Sequence, residues 1–232
     1  MNNFFVDYRI SNEELINLKK FNINPIKCPK SHVVYEAING HPDILLHPLG
    51  NKNILVHRDI SLDFINSLKS LGYNLILSKK SLGSKYPDNI ILNGLNFSDY
   101  FLHNLKYTDE NLMNLIKNKI LIDVKQGYTK CSCALMPDNS IITSDKGIYS
   151  ALKNINADVL FIPPGDILLP GLDYGFIGGC CGAIDETKVA FFGDLSCYKY
   201  GNEVLKFLKE RNLEPIFLKS GKLIDRGSLL KA

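Results

Sequence analysis

Arginine is scarce in this chain, and neither sign of charge dominates. Of 232 residues, 27 are Lys or Arg and 24 are Asp or Glu, a net charge of +3. The four arginines, Arg9, Arg58, Arg211 and Arg226, stand far apart. No lysine cluster forms a stripe between aromatics. Binding along a phosphate backbone needs a concentrated basic face, so nucleic acid is not an expected partner. Also missing is any apolar run that reaches the roughly 18 residues of a membrane span. The opening MNNFFVDYRI lacks the basic-then-apolar layout of a secretory signal. A cytoplasmic protein with no membrane partner is the expectation, and there the six cysteines should be thiols. What is present, 45% hydrophobic and 22% charged side chains, suits a soluble globular protein with one well-buried core. One domain over residues 1–232 is expected. Four of the cysteines form two tight pairs, Cys131-Ser-Cys133 and Cys180-Cys181.

The hydrophobic pattern repeats with a period of ~45 residues, in the range of repeat and propeller architectures. Each unit reads as apolar strand, polar turn, apolar strand, helix, apolar strand. One unit opens at Asp43-ILLHPL, turns at GNKN and returns through ILVH. Its helix starts at the N-cap Ser61 and stops at Gly72. The next opens at Asn89-IILNGL and returns through Tyr100-FLH, with a helix from about Asp109. A third opens at Cys131-SCALM, with a helix from about Lys146. A fourth opens at Gly178-GCCGAI, with a helix from about Asn202. Near the start, Ser11 and Glu14 form a capping-box signature for a helix over 12–21. The C-terminal Gly227-SLLK can supply the missing first strand of that unit. The expectation is an α/β fold: a five-unit, pseudosymmetric α/β propeller of βββα-like repeats, its ring closed by the two termini. A single mixed sheet with helices on its faces is the alternative. The Pro/Gly-rich stretch Ile162-PPGDILLPGLDYG reads as a rim loop over the central site.

With this repeat order, the chain resembles the pentein, or guanidino-group-modifying, superfamily. That superfamily includes arginine deiminases, agmatine deiminases, dimethylarginine dimethylaminohydrolases and amidinotransferase-like members, with non-catalytic ribosome-binding relatives. His41-Pro-Asp43-Ile-Leu-Leu looks like the segment in which the family keeps a substrate-contacting acid, which puts Asp43 in that role. Pro87-Asp88-Asn89-Ile-Ile-Leu is similar in placing to the family's acidic lead into the next repeat, with Asn89 in place of the acid. Gln126-Gly-Tyr-Thr-Lys-Cys-Ser-Cys-Ala occupies the stretch that opens with the family's general-base His, and Tyr128 stands near the His position. The nucleophilic Cys of the enzymes lies near the C-terminus, where this chain has Lys231 or Ala232. The resemblance therefore implies the fold, a small guanidino or amidino ligand and no organic cofactor, in a member lacking the usual His and C-terminal Cys.

Guanidine hydrolysis in that superfamily needs a thiolate, a proton-shuttling His and carboxylates that hold the cation. Pseudosymmetry brings the first strands of all units to one channel, so a relocated nucleophile is conceivable. Cys180 or Cys181 is the candidate, with His41 as base and Asp43 as anchor; one of the two thiols should face inward, since strand neighbours alternate. Small buried residues in a crowded centre are the bland alternative. Lys130, Cys131 and Cys133 open another such strand and join Asn89 and Tyr128 as candidate substrate contacts. Lys130 there would need a partner, and Asp43 or an anionic ligand could serve. Cys131 and Cys133 on one strand face, joined by a further Cys and His41, form an alternative zinc set, although Cys-x-Cys is not a zinc-ribbon spacing. A catalytically inactive binding or interaction module is the remaining alternative. His47, His57 and His103 read as surface or satisfied strand residues, and His32 as a loop residue.

Overall fold

A computed structural model of the chain describes residues 2–232. Its elements follow the repeat. The first unit has β1 (Asn2–Asp7), α1 (Asn12–Lys20) and β2 (Ile23–Cys28). The second has the helical turn α2 (Pro42–Leu45), β3 (Leu46–Gly50), β4 (Asn53–Val56), α3 (Leu62–Ser70) and β5 (Asn74–Leu77). The third has β6 (Leu95–Phe97), β7 (Tyr100–His103), α4 (Glu110–Leu115) and β8 (Ile120–Asp123). The fourth has the turn α5 (Thr129–Ser132), β9 (Cys133–Leu135), β10 (Ile141–Thr143), α6 (Lys146–Asn154) and β11 (Val159–Phe161). The last has a 3-10 turn (Ile177–Cys180), β12 (Cys181–Ala183), β13 (Lys188–Phe191), α7 (Gly201–Lys209) and β14 (Glu214–Phe217). The final strand is β15 (Leu230–Lys231).

These strands form five three-stranded sheets: β15-β1-β2, β3-β4-β5, β6-β7-β8, β9-β10-β11 and β12-β13-β14. In each sheet the middle strand pairs antiparallel with the first and parallel with the last. A parallel return needs a crossover, and the helix between the middle and last strands supplies it. Phe4 and Phe5 pair with Lys231 and Leu230, so the two chain ends share one sheet. The mixed-sheet alternative is not what the chain adopts.

The sequence explains why the middle strands lie deepest. Phe4-Phe5-Val6, Ile54-Leu55-Val56, Phe101-Leu102 and Val189-Ala190-Phe191 are all fully buried. Continuous apolar runs, rather than alternation, mark strands covered on both faces. In β1 the alternation of side chains separates Phe5, which joins one apolar cluster, from Phe4 and Val6, which join another. The helix starts fall where the caps predict. Ser11 and Glu14 form a complete capping box on α1, and Ser61 accepts the Phe64 amide at α3.

The strand starts differ from expectation. The first strands do not open at Asp43, Asn89, Cys131 or Gly178. Each opens later, and in three of these units a helical or 3-10 turn precedes it. A run such as Ile-Leu-Leu reads as strand by composition, but Pro42 at the first helical position and the carbonyl of His41 turn it into one helical turn.

His47, His57 and His103 are all buried, against the surface option. Phe101 lies edge-on to the rings of His47 and His103, and a Cβ at Gly94 would collide with the Phe101 ring. Burial lowers the pKa of each of these histidines to about 4. A lowered histidine contributes stability that is fully present above the unfolded pKa of about 6.5 and is lost as pH falls towards 4. Each can add up to about 1.4 kcal/mol per pH unit to the slope in that window. The raised carboxyls of Asp43 and Asp225 act with opposite sign, so the test is a difference. The substitution His57→Gln should remove about one proton from the pH dependence of denaturant unfolding between pH 6.5 and 4. Parallel curves for the two proteins would contradict this.

Candidate functional site

Polar segments of the first four units and of the C-terminal stretch come to a common meeting point. Asp7 ends β1, His41 and Asp43 bracket the start of α2, and Asn93 precedes β6. Cys131 sits in α5, while Asp225 and Ser228 belong to the segment before β15. All of these except Cys131 are polar or charged, and all are buried. Hydrogen bonds join Asp43, Asn93, Cys131 and Ser228. The Cys131 thiol donates to Asp43 Oδ2 at 3.1 Å and the Ser228 hydroxyl reaches the same oxygen at 2.7 Å. Asn93 Nδ2 donates to the Asp43 carbonyl and to Cys131 Sγ, while its Oδ1 accepts the amides of Lys130 and Cys131. Lys130 Nζ donates to Ser228 Oγ at 3.0 Å. Asp43, one of the two partners considered for Lys130, is linked to it through that hydroxyl rather than directly.

Glycines permit this convergence. Gly227 has φ +67, and a Cβ there would strike His41. At Gly178 and Gly179 a Cβ would strike the backbone of Lys130 and Cys133 and the Asp225 carboxylate. The space expected for a ligand beside these glycines is therefore taken by the protein's own chain. Ser228 itself has φ +71, a left-handed conformation that costs a non-glycine residue of order 1–3 kcal/mol. Its hydrogen bonds to Lys130, Asp43 and the Gly178 carbonyl hold it there.

His41 lies between two carboxylates, with Nε2 3.8 Å from Asp7 and Nδ1 3.8 Å from Asp225. Neither nitrogen has a hydrogen-bond partner. Burial lowers its pKa, against the pull of the two acids, and favours the neutral ring. Asp7 is held by Arg9, whose guanidinium approaches its Oδ2 to 2.5 Å. Asp225 accepts the amides of Phe176 and Gly227. Burial raises the carboxyls of Asp43 and Asp225. It also pushes the Cys131 thiol well up, with the charges of Asp43 and Asp225 adding to the effect.

A cavity of about 250 Å³ opens onto this cluster, with His41, Cys131 and Asp225 among its lining. Its walls include Tyr35, Tyr128, Tyr174 and Phe176. Tyr35 and Tyr128 join through their hydroxyls at 3.1 Å, and Tyr128 and Phe176 rings lie 6.2 Å apart. The Pro/Gly-rich stretch supplies Leu169, Leu172 and Asp173 as well as Tyr174, and so forms part of the cavity wall as expected of a rim loop.

Of the sequence candidates, His41, Tyr128 and Cys131 line this cavity. Asn89 stands behind it and accepts the Tyr128 hydroxyl at 3.1 Å. Asp43 lies under Cys131, and Lys130 faces a separate cavity on the far side. Cys133 is not on a shared face with Cys131, because α5 ends between them. It packs among Leu95, Phe97 and Ile141, and burial raises it to about 12. Cys180 and Cys181 do not alternate either: both thiols donate to the Ile177 carbonyl, inside an apolar cluster with Phe191 and Leu195. The 3-10 turn ending at Cys180 turns both sulfurs the same way, and neither residue lines the cavity. Among the described residues no group of three His, Cys, Asp or Glu side chains is placed to hold a metal ion. Sequence reading passed over Asp225, Ser228 and Asn93. Asp225-Arg-Gly-Ser228 carries a turn signature that could have flagged the first two; Asn93 has no local signal.

In overall shape the chain is similar to three solved enzymes. SxtG, an amidinotransferase from Microseira wollei in the saxitoxin biosynthetic pathway, matches with TM-score 0.56 and 11% identity over 89% of this chain and 73% of that one. Agmatine deiminase from C. jejuni, with substrate bound, matches with TM-score 0.54 and 14% identity over 99% and 93%. DDAH from Pseudomonas aeruginosa, in complex with citrulline, matches with TM-score 0.53 and 8% identity over 93% and 91%. No curated protein matches in sequence. These structural neighbours are all pentein-superfamily proteins, and the α/β architecture of five small sheets is theirs. Residues 5–230 match the family described as "Family of unknown function (DUF6873)", and the chain belongs to it.

The Asp43–Cys131 contact makes a direct prediction. Asp43→Asn removes a negative charge next to the thiol, so Cys131 should become more acidic. Its alkylation by iodoacetamide at pH 8, followed on its own peptide by mass spectrometry, should quicken at least about tenfold. An unchanged or slower rate in a natively folded variant would refute the carboxylate's hold on the thiol.

Proposed function

We propose that this protein handles a small cationic amidino or guanidino compound in the cavity above Cys131, as a cysteine-dependent hydrolase of a C–N bond. The observation that carries this reading is the meeting of Asp225, His41 and Cys131 in a cavity with aromatic walls. A planar cation suits both features: aromatic faces attract it, and a buried carboxylate pairs with it. The structural neighbours include enzymes named for agmatine and amidino-group chemistry, which supports the ligand class. Asp225 takes the anchoring role expected of Asp43, which is occupied by Cys131 and Ser228.

In this reading Cys131 attacks the amidine carbon. Its proton passes to Asp43 along their hydrogen bond, since burial has brought the carboxyl upward. The C–N bond breaks as the amine departs with the proton that Asp43 gives up. Neutral His41 then takes a proton from water as its oxygen bonds the carbon, the C–S bond breaks, and that proton returns to the Cys131 sulfur. We further propose a single domain over 1–232 in which the sheets stand about a common axis as a closed α/β propeller, with the β15–β1 pair as its closure. A cytoplasmic setting suits six free cysteines, and no helix among the described residues is long and apolar enough to cross a membrane.

One observation favours a second reading. The thiol of Cys131 is pushed up rather than down, the opposite of a pre-activated nucleophile. A binding module would keep such a thiol. Calorimetry and product assays with agmatine, arginine and benzamidine separate the two. The hydrolase reading expects binding, release of ammonia or amine, and Cys131→Ala that binds but turns over at least about 10³-fold more slowly. Asp225→Asn should lose binding in either case. Binding without turnover would leave the module, and no binding by any of the three cations would remove both.

A further inference from the structure

A second cavity, of about 260 Å³, lies on the other side of the Asp43–Cys131 contact. It shares no lining residue with the first: Cys131 faces one, Asp43 and Lys130 the other. Two of the residues that line it, Asp43 and His47, each carry a buried acceptor without a partner, Oδ1 and Nε2. His47 Nδ1 lies 3.1 Å from the Leu92 carbonyl, which can only accept, so Nδ1 carries the proton and Nε2 presents a lone pair. Asn96 adds a third unpartnered acceptor, Oδ1. Two ammonium groups, on Lys130 and Lys231, belong to the same lining. Lys130 spends one hydrogen on Ser228 and retains two. The remaining wall is aliphatic, with Leu46, Leu92, Leu95 and Leu135.

This combination specifies a ligand. Two lysines call for an anionic group, and the unpartnered acceptors call for a hydrogen-bond donor a short distance from it. Leucine walls call for a compact apolar body. We propose that this cavity is a second binding site, for a small carboxylate that bears a donor on its α-carbon: an α-amino acid or α-hydroxy acid with an aliphatic side chain. The carboxylate lies against Lys130 and Lys231; an α-ammonium bonds both Asp43 Oδ1 and His47 Nε2, and an α-hydroxyl, with one hydrogen, bonds one of them. Because Asp43 Oδ2 holds the Cys131 thiol, occupancy here is read directly at the other cavity. The site stands independently of the guanidine reading.

Four isosteric probes test it by calorimetry on the full chain. L-leucine and 2-hydroxy-4-methylpentanoate carry both groups; 4-methylpentanoate lacks the donor, and isopentylamine lacks the carboxylate. One or both of the first two should bind at least tenfold more tightly than the others, and which one binds identifies the donor. Leu135→Trp, which fills a half-buried part of the wall, should abolish binding, and Lys231→Gln, at an exposed position, should weaken it about fivefold. Saturating ligand should change the alkylation rate of Cys131 in the native chain. Equal binding of all four probes, no binding of any, or unchanged affinity in both variants would overturn the proposal.

Discussion

Asp43 Oδ2 is the atom on which the centre of this molecule depends. A carboxylate with no access to water is costly unless donors surround it. Here the donors come from distant parts of the chain: Cys131 from the fourth unit and Ser228 from the C-terminal segment. Gly227 adds its carbonyl to the Asp43 amide, and Asn93 adds its side-chain amide to the Asp43 carbonyl. Three segments are thus positioned by the need to satisfy one residue. Apolar packing alone would not give that precision, since aliphatic contacts tolerate small slides whereas hydrogen bonds impose direction. Asp7 and Asp225 repeat the principle with Arg9 and with backbone amides.

The same demand explains the strain and the crowding. Ser228 sits in a left-handed conformation in which its hydroxyl accepts from Lys130 and has one hydrogen to share between Asp43 Oδ2 and the Gly178 carbonyl. Gly178 and Gly179 are bare because the chain of the fourth unit and the Asp225 carboxylate occupy the places of their side chains. Strain of this kind persists when the surroundings over-determine it. The helical turns α2 and α5 belong to the same economy. The turn at α2 sends His41 to the first cavity and Asp43 to the second, whereas a strand would have aimed both the same way.

The architecture was legible because its signals are local and repeated. Caps at Ser11 and Ser61, the apolar middle strands and the period of the helices all survive translation into structure. His41, Tyr128 and Cys131 were also legible as cavity residues, from chemistry and position in the repeat. The orientation of the cysteines was not. Inferring a facing direction for Cys131 with Cys133, or for Cys180 against Cys181, assumed that the strands begin with those residues. Each pair instead straddles the end of a turn. The breaking of the period is set by contacts with other units, such as the Asn93 side chain on the amides of Lys130 and Cys131. Those contacts lie 37 and 38 residues away in sequence, beyond any window of periodicity. For Asp225 and Ser228 the local turn was legible, but their partners His41, Asp43 and Lys130 are tertiary.

The placement of the thiol has a chemical consequence. With Cys131 in its proposed role, the nucleophile rests protonated against a carboxylate that is itself raised by burial. Proton transfer between the two then requires a smaller change than transfer from a raised thiol to an ordinary carboxylate would, because burial moves both in the same direction. A cation entering beside Asp225 shifts the balance further. Positive charge favours the thiolate and disfavours a proton anywhere nearby, so the ligand itself supplies part of the activation. Such a thiol is quiet in the empty cavity and nucleophilic only when a cation is present. A buried cysteine of high pKa and a cysteine-dependent reaction are therefore compatible, provided the substrate carries the charge.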